Sequence, residues 1–289
     1  MAQLEDLPVT KHHNVYPGID PRPFISAQTY KDKVVVISGA SRGIGEEIAI
    51  TYARCGATLS LLARSKEALL GVKQSILNEV PKAQIEIFAA DVTDCDAIEK
   101  AVEGTVKRFG RIDIVIPNAG KCDAWDKPFS QKDPKEWWRT VEVNLRGVYN
   151  LAHYSLPHLE KIGGYLLVVS SIGAQSRIPY SSPYCLSKHA LNRFVEFVTI
   201  EHPNVKAFSF HPGGVRTELA LASSVMDDKL NDPPGLAAGT ILQLTSGRFD
   251  WLSSRYVSAN WDLDEVEKTW KKSIIDQNGL ISKLSIPVN

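Results

Sequence analysis

The sequence predicts a single doubly wound α/β domain: seven parallel strands in one sheet, with helices packed on both faces. Three observations lead there. Short β-branched or apolar runs recur at 34–38, 57–62, 85–89, 112–116, 165–170, 205–210 and, more weakly, 256–259. Segments of helical spacing separate them, such as Ile44, Ile48, Tyr52 and Cys55, then Leu191, Phe194, Val195 and Val198. A glycine-rich turn joins the first strand to the first of these helices. Strands of buried type that alternate with helices form a parallel sheet covered on both sides.

Composition sets the outer bounds. The chain has 289 residues, 44% hydrophobic and 23% charged, with 33 basic and 33 acidic side chains and a formal net charge of zero. That is a globular composition with ample core material. The charge balance argues against a nucleic-acid binder, which carries a basic face. Runs such as 34–37 and 166–169 fall far short of the roughly 20 apolar residues needed to span a bilayer, and no signal peptide is visible at the start. Four cysteines at 55, 95, 122 and 185 make no CxxC pair. The expectation is free thiols in a reducing cytoplasm, with neither a disulfide scaffold nor a metal site.

Along the chain, residues 1–31 read as a Pro- and His-containing N-terminal extension, and 32–262 as the catalytic domain. Residues 263–289 read as a C-terminal helix and tail. Within the domain, 214–235 is long for a connection, as binding loops often are. Its Leu219, Leu221, Val225, Met226 and Leu230 suggest an apolar substrate.

The turn after the first strand reads Gly39-Ala40-Ser41-Arg42-Gly43-Ile44-Gly45. It lies at the carboxyl end of a parallel strand, where ligands bind in such sheets. Glycines let the backbone approach a pyrophosphate, and the following helix N-terminus offers free N–H groups. About 20 residues on, a carboxylate is expected where a ribose 2′-hydroxyl is read. The sequence there is Leu61-Leu62-Ala63-Arg64-Ser65, with no acid before Glu67. Arg64, aided by Arg42, suits a 2′-phosphate, which favours NADP(H) and leaves NAD(H) possible.

A second constellation is Ser171, then Tyr184, then Lys188. Tyr184 and Lys188 are spaced i, i+4 on an expected helix and share one face. Lowering a phenol from its ordinary pKa of about 10 to near 7 requires roughly 4 kcal/mol. A cation about 4 Å away at an effective dielectric of 20 supplies a similar ~4 kcal/mol. Ser171 is placed to orient a substrate oxygen. There is no G-x-S-x-G elbow, which argues against an acyl-transfer hydrolase. His12-His13 lack neighbouring ligands and read as solvated, and His211 as a packing histidine. Cys185 is turned away from Tyr184, and Trp137-Trp138 fit either core or interface.

On these residues the chain resembles the short-chain dehydrogenase/reductase family of Rossmann-fold oxidoreductases over about residues 31–260. The matching pieces are Gly39-x-x-x-Gly43-x-Gly45, Asp91, Asn118-Ala119-Gly120, Asn144, Ser171, Tyr184-x-x-x-Lys188 and Pro212-Gly213-x-Val215-x-Thr217. The resemblance implies Tyr184 as general acid–base and Asn144 as the fourth catalytic member, anchoring a water beyond Lys188. It implies that Asp91 and Val92 contact adenine and that Asn118 steadies the sheet beside the cofactor. Lys188 would also hold the nicotinamide ribose, and Val215 and Thr217 the carboxamide. It implies a homodimer or homotetramer formed through the helices that carry Asn144 and follow Ser171. Pro117 stands where the family often has asparagine, and Ser254 where it often has glycine. The stretch 255–262 is similar to fungal members, many of which tailor secondary metabolites. The expected reaction is hydride transfer between NADP(H) and a secondary alcohol or ketone, probed by Tyr184→Phe. The alternatives are an NAD-dependent alcohol dehydrogenase, a sugar-nucleotide epimerase or dehydratase with retained cofactor, and a non-catalytic dinucleotide sensor.

Overall fold

Each predicted apolar run becomes a strand because both of its faces are covered. In the computed structural model, which describes residues 6–224 and 230–284, the strands are β1 (Val34–Ser38), β2 (Thr58–Ala63), β3 (Ile85–Ala89), β4 (Ile114–Pro117), β5 (Tyr165–Val169), β6 (Lys206–His211) and β7 (Tyr256–Ser258). They form one seven-stranded sheet in the order β3-β2-β1-β4-β5-β6-β7, with every pair parallel. Ala57 and Val205, which the sequence places in strands, lie just ahead of them. Their amides close turns onto Tyr52 and His202.

The helices are α1 (Arg22–Ala27), α2 (Gly43–Arg54), α3 (Lys66–Glu79), α4 (Cys95–Phe109), α5 (Pro134–Val141), α6 (Gly147–Glu160), α7 (Ser182–Glu201), α8 (Glu218–Leu221) and α9 (Pro234–Leu244), followed beyond β7 by the short α10 (Leu263–Glu265) and α11 (Lys271–Asp276). Two apolar clusters divide them between the faces. Val35, Ile37, Leu59, Leu61 and Ile116 face α2, α3 and α9 through Ile48, Leu69 and Ile241. Val36, Val115, Leu166 and Val168 face α4, α6 and α7 through Ile98, Leu151 and Val195. Alternate residues of one strand therefore feed opposite cores, so the sequence shows unbroken apolar runs where a half-exposed strand would alternate.

Two local features set the carboxyl edge of the sheet. The order in which strands are added reverses between β1 and β4, the switch point where such sheets open a ligand crevice. β4 also pairs with β5 only through Ile114 and Val115, so the ladder has ended before Pro117, which has no N–H to give. Ser254, where the family often has glycine, adopts a left-handed φ of 72°, the conformation glycine accepts without steric cost.

Residues before β1 are part of the packing. Ile19 is fully buried, Tyr16 and Tyr30 nearly so. Tyr30 donates its hydroxyl to Leu242 O of α9 at 2.5 Å. A Cβ on Gly239 would lie 2.4 Å from Ile19 O, so only glycine in α9 allows this approach.

Candidate active site

The cradle is built from contacts too close for side chains. Gly39 has a φ of 66°, and a Cβ there would fall 2.8 Å from Ala119 Cα. A Cβ on Gly45 would lie 2.3 Å from Gly39 O and 2.6 Å from Asn118 Nδ2. Asn118 donates Nδ2 to Ser38 O and Gly39 O at 3.2 and 3.1 Å, and the Asn118 and Ala119 amides both donate to Ser38 Oγ. The turn after β1 is thereby tied to the turn after β4. We expect Gly45→Ala to cost about 1–3 kcal/mol of stability as the overpacked turn shifts, and to weaken cofactor binding; thermal unfolding and a cofactor titration check both.

The first turn of α2 is chemically open. Ser65, Asp94 and Asp133 cap α3, α4 and α5 through their side chains, whereas Arg42 gives α2 no side-chain cap. Its leading N–H groups are left for an anion, with the positive end of the helix dipole behind them. Gly43, at φ 61°, faces Thr217, whose Cγ2 would be 3.3 Å from an added Cβ. The cradle and the 212–217 segment therefore border one space, and the residues fit a dinucleotide.

Around this cradle the remaining predicted residues take distinct positions. Ser41 and Ile44 lie in the turn and the first turn of α2 and are partly buried. Arg64 follows β2 and is exposed. Arg42 pairs with Glu218 of α8 at 3.1 Å, both side chains largely exposed. Asp91 is occupied by protein partners. Oδ1 accepts from the Thr93 amide and hydroxyl, and Oδ2 from Arg139 at 2.8 Å. Burial pushes its carboxyl up, but these bonds and the guanidinium charge outweigh it and hold the pKa below the ordinary value. Val92 is buried against Gly147, where a Cβ would lie 2.5 Å from Val92 Cγ2.

Asn144 sits in a wider π turn, Glu142–Arg146, that joins α5 to α6. Such turns occur frequently at functional sites. Its Oδ1 accepts from the Lys121 amide at 2.7 Å, and its Nδ2 donates to Lys121 O and Ser187 Oγ at 3.0 Å each. Gly120 brings the rest together: its Cβ position would be 3.3 Å from Asn144 Oδ1, 3.8 Å from Lys188 Nζ and 3.3 Å from Leu219 Cδ1. Residues 118–120 thus border the glycine turn at one end and Asn144 and Lys188 at the other.

Tyr184 opens α7 and is hydrogen-bonded by Ser171, whose Oγ also accepts from the Gly173 amide at 3.0 Å. Lys188 Nζ donates to Val169 O at 2.7 Å and lies 5.8 Å from the centroid of the Tyr184 ring. The burial that sequence reasoning treated as a margin dominates both groups. It raises the Tyr184 phenol, against the Ser171 hydrogen bond, and pushes Lys188 down to about 8. The protein alone therefore leaves this phenol above its ordinary value, and the sequence reading counted on an oxidised nicotinamide ring beside Lys188 to bring it down.

Trp125 is a residue that sequence reasoning missed. It is buried, its ring centroid stands 6.1 Å from that of Tyr184, and its amide donates to Ser223 O. Cys122 is buried near the same residues, and burial raises its thiol to about 12. Cys185 lies 3.0 Å from Ser181 Oγ. Arg139 and Asp232 were also missed, because their partners lie 48 and 18 residues away. His12 is corrected from solvated to paired, bonding Asp262 at 2.9 Å, whereas His13 remains exposed as expected while its ring bonds Asp232 at 2.7 Å. Trp137 bonds Ser182 Oγ, while Trp138 is exposed. Of the apolar residues in the long loop, Leu219 faces the site and Leu230 is buried; Val225 and Met226 lie outside the described residues. Among the described residues no cluster of ligating side chains could hold a metal, and no helix is long and apolar enough to cross a membrane.

A seven-stranded parallel sheet with this edge is a Rossmann-type oxidoreductase scaffold. A family model for short chain dehydrogenases matches residues 33–227. A short chain dehydrogenase of Monascus purpureus, mpl6, is 38% identical over 290 residues, covering 96% of each chain. Among solved structures, levodione reductase superposes with a TM-score of 0.74 at 25% identity, over 80% of this chain and 97% of that one. An alcohol dehydrogenase from the archaeon Thermococcus sibiricus, complexed with 5-hydroxy-NADP, gives 0.68 at 30% identity, over 78% and 95%. The chain belongs to the short-chain dehydrogenase/reductase family, whose members are NAD(P)-dependent oxidoreductases.

Proposed function

We propose that the chain interconverts a secondary alcohol and its ketone on an apolar small molecule, with NADP(H) as cofactor and Tyr184 as general acid–base. The observation that carries this reading is the contact chain from Gly39 through Ala119 and Gly120 to Asn144 and Lys188. It supports a dinucleotide cradle and a proton-transfer group on one sheet edge. When bound, the nicotinamide supplies or accepts a hydride. The protein's share is to position and to move a proton. Tyr184 gives the proton to, or takes it from, the substrate oxygen, and Ser171 orients that oxygen. Lys188, still charged at neutral pH despite burial, stabilises the phenolate form. Asn144, with its amide held by Lys121 and Ser187, fixes the polar end beyond Lys188. Trp125 and Leu219 supply apolar walls, which suits a hydrophobic ketone of the kind tailored in secondary metabolism. Incubation of the enzyme with NADPH and a panel of cyclic and polycyclic ketones tests it; no cofactor consumption with any of them would remove the reading.

Cofactor choice rests on two arginines. Arg64 directly follows β2, whose last residue, Ala63, stands where a 2′-hydroxyl reader would carry an acid. Arg42 makes an exposed pair with Glu218, and such pairs are worth about 0–1 kcal/mol, so breaking it to turn to a 2′-phosphate costs little. Arg64→Asp is expected to weaken NADPH about 10- to 100-fold, the loss of a charge-assisted contact, while NADH affinity stays within about twofold. Titrating the two cofactors against parent and variant measures this, and equal losses for both would count against Arg64.

The same reading includes assembly and place. α6 and α7 present Tyr149, Phe197 and Ile200 to solvent, apolar area suited to self-association. The four cysteines are free thiols, as in a reducing cytoplasm.

A further inference from the structure

We infer that Asp232 is a positioning residue for the nicotinamide end of the site, and that His13 makes the N-terminal segment part of that site. The inference rests on the NADP(H) reading of segment 212–217. Asp232 is 15 residues beyond Thr217 in sequence but lies directly beside the start of the same loop. Its amide donates to Gly214 O at 3.0 Å. Its Oδ2 accepts from the Gly214 amide at 2.6 Å and from Asn260 Nδ2 at 2.8 Å. Its Oδ1 accepts from His13 Nδ1 at 2.7 Å. Val215 and Asp232 form a parallel bridge. The two ends of the long loop are therefore pinned to each other at one buried carboxylate, whose side chain is 3% exposed.

Two features show that this carboxylate serves the loop. Asp232 stands one residue ahead of Pro233, the N-cap of α9. Yet α9 receives no side-chain cap from its N-cap Pro233, and the Asp232 carboxylate is directed to Gly214 instead. Gly213 has a φ of 91°, and a Cβ there would fall 2.7 Å from Asp232 Oδ2. Position 213 must be glycine for the carboxylate to reach the Gly214 amide.

The third partner comes from the N-terminus. Residues 10–13 run along the end of β7: the His12 amide donates to Asn260 O and Asn260 Nδ2 to His12 O, while Lys11 bridges Trp261. This places His13 over Asp232 and leaves its own side chain 72% exposed. A buried carboxylate is stable only when its lone pairs are used, and here three separate segments use them. Val215 and Thr217, which follow directly, inherit their position from this junction. Thr217 in turn borders Gly43 in the cradle.

The test uses the full-length chain with His13→Ala and Asp232→Asn, and three readouts. The first is affinity for NADPH, the second affinity for adenosine 2′,5′-bisphosphate, which carries only the adenine half. The third is amide exchange over 213–217 without cofactor. In both variants NADPH is expected to weaken about tenfold, the scale of one charge-assisted hydrogen bond, with the bisphosphate unchanged and exchange at 213–217 faster. Equal weakening of both ligands, or unchanged NADPH affinity, overturns the inference. Should Asp232→Asn fail to fold, His13→Ala, on an exposed side chain, still decides. If the parent binds neither ligand, the NADP(H) reading fails, and exchange at 213–217 in the variants alone decides whether Asp232 holds the loop.

Discussion

Replacing Tyr184 by Phe is expected to reduce turnover by a factor of about 10²–10⁴, the usual contribution of one positioned acid–base group. NADPH affinity should stay within about twofold. The two halves of this expectation come from different parts of the structure. The phenol oxygen is the only atom removed, and the ring keeps its packing beside Trp125. The cradle of Gly39, Gly43 and Gly45 contacts Asn118, Ala119 and Thr217 and does not depend on that oxygen. Stability should change little, because the phenol is neutral at pH 7 and the substitution removes only its hydrogen bond with Ser171. Steady-state rates with the best ketone, a cofactor titration and a melting curve together check this. A variant with parental turnover would remove Tyr184 from the mechanism, whereas loss of NADPH binding would mean that the phenol helps to shape the cradle.

What could be read in the sequence, and what could not, follows from the range of the interactions. The sheet was legible because strands buried on both faces leave unbroken apolar runs, and all seven fall within a residue or two of expectation. The cradle was legible because its glycine spacing lies within one turn, although the contacts that demand glycine reach to Asn118, Ala119 and Thr217. The carboxyl-edge residues Asn118, Ser171, Tyr184 and Lys188 each sit at the end of a strand or the start of a helix, so their placement followed once the sheet was known. Long-range polar partners were not legible. Nothing near Asp91 announces Arg139, and nothing near His12 and His13 announces Asp262 and Asp232, which come from the other end of the chain. The segment before β1 lacks periodicity because it packs by single anchors such as Tyr16, Ile19 and Tyr30, each too isolated to leave a pattern. Electrostatics were half legible: the Lys188 charge was anticipated near Tyr184, but the cost of burying both groups depends on depth, which a sequence does not display.

That cost yields the second large effect. Lys188→Met is expected to lower turnover by about 10² or more, since the phenolate form loses its cation, and yet to make the cofactor-free fold more stable at neutral pH. Burial moves the ammonium from an ordinary 10.5 to about 8. Below pH 8 both folded and unfolded chains carry the proton, and the folded chain bears the full penalty of a buried charge. That difference corresponds to about 3 kcal/mol, partly offset by the hydrogen bond to Val169 O, which methionine cannot make. Between about pH 8 and 10.5 the unfolded chain binds more protons than the folded one, so the parent's stability rises with pH. Above 10.5 both are neutral and the penalty has gone. The advantage of Lys188→Met over the parent should therefore be largest near pH 7 and shrink through that window. Denaturant unfolding of both proteins at pH 7 and pH 10 measures the change. A difference that stays constant across the two pH values would show that Lys188 is not held in a poorly solvated state. A rate loss that accompanies the expected stability pattern would mean that the fold retains a destabilising charge because the proton transfer at Tyr184 requires it.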